Sequence, residues 1–138
     1  MTFVRRTVVG VDPADVATTL LEAFNDGDLD RMRELMDPEM VAWVTDAAGE
    51  PQPVTGADAY LARIAAMNLP AASYRVTPTQ SPVAIEDDLV LVMVEVRAER
   101  GDRGLHNFAA HVLRVRRDRV TEWRMADAKP AESDRFWA

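Results

Sequence analysis

Two side chains in the last third of the chain have the chemistry of proton transfer. Asp127 ends the last predicted strand, "VTEWRMAD", and His111 lies in the strand before it. A carboxylate held away from water has a raised pKa, so it can give or take a proton near neutral pH. Asp127 and His111 are therefore the catalytic candidates. The alternative for Asp127 is structural, with its carboxylate capping the strand end by accepting hydrogen bonds from nearby backbone N–H groups.

The direction of His111 depends on the register of the last hairpin. Alternation along the final strand places one set of side chains on a common face: Thr121, Trp123, Met125 and Asp127. If Arg117 and Asp118 form a two-residue turn with regular pairing, His111 falls opposite Arg124, on the other face. A single β-bulge would reverse the parity and bring His111 and Asn107 to the face that carries Asp127. The sequence leaves these two registers open.

Aromatic, thioether and amide side chains supply the candidate ligand contacts. The residues predicted to bind a ligand are Trp43, Tyr60, Met93, Asn107, Trp123 and Met125. Each has a structural alternative. The tryptophans are more typical of a core than of a ligand platform, the methionines are typical of adaptable packing, and a helical tyrosine more often tips toward solvent.

Composition excludes several classes of function. The chain has no cysteine, which rules out disulfides, thiol catalysis and zinc–thiolate sites and favours a cytoplasmic location. His106 and His111 lie on opposite faces of a regular strand, so we expect neither a metal site nor a cofactor. A net charge of −7 argues against a nucleic-acid partner. No apolar run approaches the roughly 20 residues of a membrane span, and we identify no signal peptide.

The elements that would position these residues change type along the chain. Asp12 and Pro13 predict a helix start, and Gly27 and Asp28 predict the end of that helix and the cap of a second. Asp37-Pro38 is expected to end the second helix, and "EMVAWVTD" follows as a strand. A loop and a third helix, "ADAYLARIAAM", come next. After Pro70 the pattern becomes a meander of strands, which is typical of an α+β fold.

Several phrases in this order resemble one family. The segments "LLEAFNDGDLDRMRELMDPEMVAWV", "VTGADAYLARIAAM", "DDLVLVMVEVRAE" and "HVLRVRRDRVTEWRMAD" are similar to SnoaL-like proteins of the nuclear transport factor 2 superfamily. The resemblance covers about residues 12–137. We therefore expect one domain over residues 1–138, with an N-terminal arm at 1–11 and a C-terminal tail at 128–138.

The resemblance implies a conical α+β barrel. Three N-terminal helices would pack in a strongly curved, mostly antiparallel sheet around one deep apolar pocket, and many members form homodimers through the outer face of the sheet. Members include polyketide cyclases, ketosteroid isomerases, epoxide hydrolases and dehydratases. The cyclases use a histidine on the penultimate strand, which His111 matches, and an aspartate on the last strand, whose position falls on Met125.

The resulting functional hypothesis is a small-molecule pocket protein without a membrane partner. It would bind a hydrophobic, oxygenated compound and act as a cyclase, isomerase or dehydratase through Asp127, with or without His111. The alternatives are a binding or carrier protein without catalysis and a dimeric scaffold whose interior is filled by its own side chains. The segment "DRFW" near the C-terminus could cover the pocket mouth or pack at a dimer edge.

Overall fold

The N-terminal half of the chain forms helices whose ends follow from their capping residues. A computed structural model describes residues 12–138, so the arm expected at 1–11 lies outside the described residues. Helix α1 (Pro13–Asp26) begins at Asp12, whose Oδ1 accepts from the Ala14 N–H at 2.8 Å. It ends at Gly27, whose φ of 68° is left-handed and suits glycine. Helix α2 (Leu29–Glu34) is capped by Asp28, as predicted.

The second helix is shorter than the sequence predicts. Strand β1 (Met36–Thr45) begins before Asp37-Pro38, which lies inside the strand. The prediction that Asp37-Pro38 ends the helix is wrong, since the helix ends at Glu34 and Met36 is already paired in the sheet. The register of β1 against its neighbour shifts between Met36 and Val41. Proline, which lacks an N–H, is tolerated in a strand at such an irregularity.

The predicted loop after β1 contains an edge strand, β2 (Pro51–Thr55), which pairs with β1. Helix α3 (Ala57–Met67) follows as predicted. After a short 3-10 turn (Leu69–Ala72), the proline-rich stretch divides into two strands, β3 (Arg75–Pro78) and β4 (Val83–Glu86). Both of them pair with β5.

The remaining elements are three long strands and a final helix. They are β5 (Leu89–Arg100), β6 (Arg103–Arg116), β7 (Arg119–Asp127) and α4 (Pro130–Trp137). The strand order in the described residues is β2-β1-β7-β6-β5-β3, with β4 also on β5. Every pair is antiparallel except β1 and β7. The sheet is curved and does not close, so the predicted α+β class is confirmed.

A bulge sets the register of the β6–β7 hairpin. Arg117 and Asp118 form the two-residue turn with φ values of 55° and 63°. Arg114 pairs with Glu122 and the next pair is Val115 with Val120, so Thr121 is the extra residue. Beyond it, His111 pairs with Met125. The bulged register is therefore the one that forms, and the regular alternative, with His111 opposite Arg124, is wrong.

The core lies between the helices and the concave face of the sheet. Trp123 is fully buried there and packs its ring against Phe24 of α1 and Tyr60 of α3, with centroids 6.3 and 5.2 Å away. Asn25 fixes α1 to strand β3, because its side-chain amide both donates to Val76 O at 2.7 Å and accepts from Val76 N at 2.8 Å. Within residues 12–138 no helix is long and apolar enough to cross a membrane.

Candidate functional site

An interior cavity of about 450 Å³ lies between the concave face, α1, α3 and α4. Its apolar wall includes Phe24 and Ile64 from the helices and Val96 and Trp123 from the sheet. The polar side chains that reach it are Thr45, Tyr60, Arg63, Tyr74, Arg100, His111, Asp127, Ser133 and Asp134. The cavity is thus lined by both apolar and polar side chains, a combination that suits a small molecule carrying polar groups.

His111 is buried in the wall of this cavity with its tautomer set by a neighbour. The Trp123 Nε1–H donates to His111 Nδ1 at 2.9 Å. Because an indole nitrogen only donates, Nδ1 must be the unprotonated nitrogen and Nε2 must carry the proton. Burial lowers the pKa of His111 to about 4, so the imidazole is neutral at pH 7.

Asp127 shares this face, and its carboxylate has no hydrogen-bond donor among residues 12–138. Asp127 pairs with Ala109 and Met125 with His111, which makes Asp127 and His111 diagonal neighbours at roughly 7–8 Å between Cα atoms. Its backbone N–H donates to Thr45 Oγ1 at 3.3 Å. Its carboxylate accepts no hydrogen bond from any residue within 12–138, so it is not a strand-end cap. Burial raises the pKa of Asp127.

Tyr60 and Met125 complete the wall beside the histidine. Tyr60 is buried, and its hydroxyl lies 3.8 Å from the sulfur of Met125. The alternative in which Tyr60 tips toward solvent is therefore wrong. Burial raises the pKa of Tyr60 above its ordinary value, so the phenol stays protonated and can donate a hydrogen bond.

Three of the predicted ligand contacts lie elsewhere in the molecule. Trp43 is on the outer face of the sheet, where the Arg124 guanidinium sits 4.8 Å from its ring centroid. Met93 is also on the outer face and is 39% exposed, because the flanking residues of β5 take the inward positions. Asn107 faces inward, but its amide bonds the backbone of Lys129, donating to O at 3.1 Å and accepting from N at 3.0 Å. These three predictions of pocket contact are wrong.

The predicted C-terminal tail forms helix α4, which lines part of the cavity. Phe136 is buried, and Trp137 reaches the cavity, where its ring packs 5.8 Å from that of Tyr74. The Arg100 guanidinium donates to Phe136 O at 2.9 Å and lies 5.7 Å from the Trp137 ring centroid. The segment therefore contributes to the wall of the cavity.

Sequence reasoning missed Tyr74 as a site residue. Burial raises the pKa of Tyr74, and the negative charge of Asp127 raises it further. The Tyr74 hydroxyl is therefore a neighbour of that carboxylate. Arg63 and Arg100 were also missed as cavity residues. No local pattern marks them, since their positions depend on how α3 and α4 close the cavity. Within residues 12–138 no three His, Cys, Asp or Glu side chains are grouped as a metal site would require.

Comparisons with known proteins agree with this architecture. A family model described as the SnoaL-like domain matches residues 17–123. A comparison with curated proteins finds no significant match.

Solved structures with the same fold include three that are similar over most of the chain. Bal32a, from a soil-derived mobile gene cassette, is 20% identical with a TM-score of 0.81, covering 92% of this chain and 97% of its own. A Xanthomonas campestris protein of unknown function with a cystatin-like fold is 16% identical, with a TM-score of 0.80 and coverage of 93% and 99%. IdmH of Streptomyces antibioticus, provisionally described as a polyketide cyclase, is 22% identical, with a TM-score of 0.72 and coverage of 93% and 100%. At these identities the likeness establishes the fold.

Burial of neutral His111 predicts a loss of stability in acid. Its pKa is about 4 in the folded state and 6.5 for a free histidine, so the unfolded state binds more protons between these values. The free energy of unfolding is expected to fall by about 3 kcal/mol at most as the pH drops through this window. His111→Gln, whose amide oxygen can still accept from Trp123, should remove this component in urea titrations at several pH values. His106→Gln, the same change at an exposed histidine, should retain it, and an unchanged pH slope in His111→Gln would contradict the assignment.

The Asp127 carboxylate accepts no hydrogen bond from residues 12–138, so its removal is not expected to lower the free energy of unfolding. Because burial raises its pKa, the charged form destabilises the fold above that pKa, and this penalty disappears as the pH falls through it. Asp127→Asn is therefore expected to leave the free energy of unfolding at pH 8 unchanged or to raise it. A loss of about 1–3 kcal/mol would instead indicate a cap. Asp88→Asn serves as the control, since Asp88 accepts from Arg114 and Arg116 and its removal should destabilise the protein.

Proposed function

Because the chain belongs to the SnoaL-like domain family, we propose that it binds a hydrophobic, oxygenated small molecule in its interior cavity and catalyses proton transfer on it. The observation that carries this proposal is the carboxylate of Asp127. It lines the cavity, has a pKa raised by burial and accepts no hydrogen bond from residues 12–138. A carboxylate in that setting is available to a ligand proton.

The reaction class that suits this site is proton removal from carbon next to a carbonyl group. Asp127 would take the proton and return it at another position, and His111 would be the second polar group near the reacting atoms. Isomerisation, aldol-type cyclisation and dehydration all share this step. The provisional description of IdmH as a polyketide cyclase supports the same class, since the two chains share the fold over most of their length.

The ligand class follows from the lining of the cavity. Aromatic and aliphatic side chains, including Phe24, Ile64 and Trp123, supply most of the wall, and a volume of about 450 Å³ is within the range of drug-sized ligand sites. The polar side chains of the lining include Asp127 and His111. A compact, fused-ring compound with one or two oxygens would place its oxygens there and its rings against the apolar wall.

A binding protein without turnover is the second candidate function. The observation that favours it is that Met125, not a carboxylate, pairs directly with His111. Asp127 is displaced to the diagonal position, where it would anchor a polar group of the ligand without exchanging a proton.

Proton exchange on a model ketone distinguishes these two functions. Wild-type protein is expected to accelerate exchange of the α-protons of 2-tetralone in D₂O, followed by ¹H NMR. Asp127→Asn should lose about 100-fold or more of that acceleration, since a positioned general base contributes about that factor. Asp87→Asn, the same change in an exposed turn, should retain it. Binding of 2-tetralone with no acceleration in the wild type would favour the binding function.

We also propose that two copies of the chain associate through the outer face of the sheet. This face carries exposed large apolar side chains at 39–42% exposure, namely Val83, Met93 and Phe108. Neighbouring apolar side chains left open to water commonly mark an interaction surface. Phe108 lies near the middle of β6, so a sheet-to-sheet contact would bury it.

A charge placed on this face is expected to separate the copies. Phe108→Glu should convert a dimer to a monomer in analytical ultracentrifugation, because an unpaired charge in a buried interface is strongly unfavourable. Ala47→Glu, which adds the same charge in the exposed β1–β2 turn, should leave the dimer intact. A wild-type protein that is monomeric at micromolar concentration would contradict the proposal.

A further inference from the structure

We propose that Trp123 is a positioning residue that holds His111 as a fixed hydrogen-bond donor, so that the cavity selects ligands with an acceptor oxygen at this point. A ketone carbonyl is the chemical group that fits. The inference rests on the proposed function for its ligand, but the role of Trp123 within the protein can be tested without one.

The first observation is the hydrogen bond between the two buried rings. Trp123 is fully buried and His111 is 7% exposed, and the indole N–H donates to Nδ1 at 2.9 Å. An imidazolium carries a proton on both ring nitrogens. Its Nδ1–H would point at the indole N–H, and two donors cannot form a hydrogen bond with each other. The bond is therefore compatible only with the neutral ring protonated on Nε2. Burial acts in the same direction, since it lowers the pKa of His111 to about 4.

The second observation is that the indole cannot turn away from the histidine. Its ring lies between Phe24, Tyr60 and His111, with centroids 6.3, 5.2 and 5.8 Å distant. Rotation of the indole would leave both its N–H and the Nδ1 atom buried without a partner, which costs about 1–3 kcal/mol for each group. The tautomer is thus maintained by packing as well as by the hydrogen bond.

The third observation concerns the other side of the imidazole. His111 lines the cavity, and within residues 12–138 its only hydrogen bond is the one at Nδ1. The Nε2–H is therefore available to a ligand, and only as a donor. An oxygen that accepts is matched at this atom, whereas a group that can only donate, such as an ammonium, is rejected.

The division of labour in the proposed reaction follows from this constraint. Asp127 takes the proton from the carbon beside the carbonyl, the carbon–hydrogen electron pair forms the new C=C bond, and the carbonyl oxygen gains the negative charge. The Nε2–H of His111 stabilises that oxygen by hydrogen bonding and keeps its proton. Asp127 then returns the proton to carbon, so no net proton is gained or lost by the protein. His111 is not the base.

The direct test is the nitrogen NMR spectrum of the full-length protein at pH 7, labelled with ¹⁵N at histidine and tryptophan. His111 is expected to show a protonated Nε2 and an unprotonated Nδ1, with scalar coupling across the hydrogen bond to the Trp123 indole nitrogen. In Trp123→Phe the Nδ1 signal should move toward its protonated position, because the donor is gone and the ring remains. Trp43→Phe, the same substitution on the outer face, should leave the His111 signals unchanged.

Two spectral results would overturn the role of Trp123. One is a protonated Nδ1 in the wild type, and the other is an unchanged His111 spectrum in a folded Trp123→Phe variant. If Trp123→Phe does not fold, the wild-type spectrum decides alone. Coupling between the two nitrogens supports the proposal and its absence overturns it.

The ligand class is tested by comparing 2-tetralone with tetralin, the hydrocarbon that lacks the carbonyl. Wild-type protein should bind the ketone about tenfold more tightly, the net effect of one hydrogen bond, and Trp123→Phe should lose this preference while Trp43→Phe keeps it. Equal binding of both compounds by the wild type would overturn the acceptor-oxygen site. Binding of neither compound would contradict the proposed pocket function, and the nitrogen spectrum would still support or overturn the role of Trp123.

Discussion

The extra residue at Thr121 is the constraint on which the candidate site depends. Side chains alternate between the two faces of a strand, so one unpaired residue reverses the face of every position beyond it relative to the partner strand. Here the bulge brings His111 opposite Met125 and places Asp127 on the diagonal. Without it, His111 would lie on the outer face and the indole of Trp123 would lack its buried acceptor.

Burial then gives the two titratable groups opposite properties. Removal from water disfavours charge on either group, so the pKa of His111 falls to about 4 and that of Asp127 rises. The histidine becomes a neutral donor, and the carboxylate becomes a group that can hold a proton nearer to neutral pH. Two residues on one face of one sheet thereby acquire distinct chemistry from a single physical cause.

The two faces of the sheet and the C-terminal helix divide the molecule into separate regions. The concave face holds the cavity, and helix α4 contributes Trp137 to its lining. Asn107 fixes the start of that helix, because its side-chain amide forms hydrogen bonds with both the N–H and the carbonyl of Lys129. The convex face carries exposed apolar side chains such as Phe108, which suit association between copies and do not contact the cavity.

The sequence by itself determined the features that depend on neighbouring residues. Asp12 and Gly27 specify the ends of α1, Arg117 and Asp118 specify the hairpin turn, and the order of elements indicates the α+β class and the family. Only the tertiary structure decided which side chains reach the cavity. Trp43 and Met93 face outward and Tyr60 faces inward because these directions depend on strand register and on helix packing across the fold. A local pattern cannot fix register, since one bulged residue changes the face of a side chain without changing the alternation seen in the sequence.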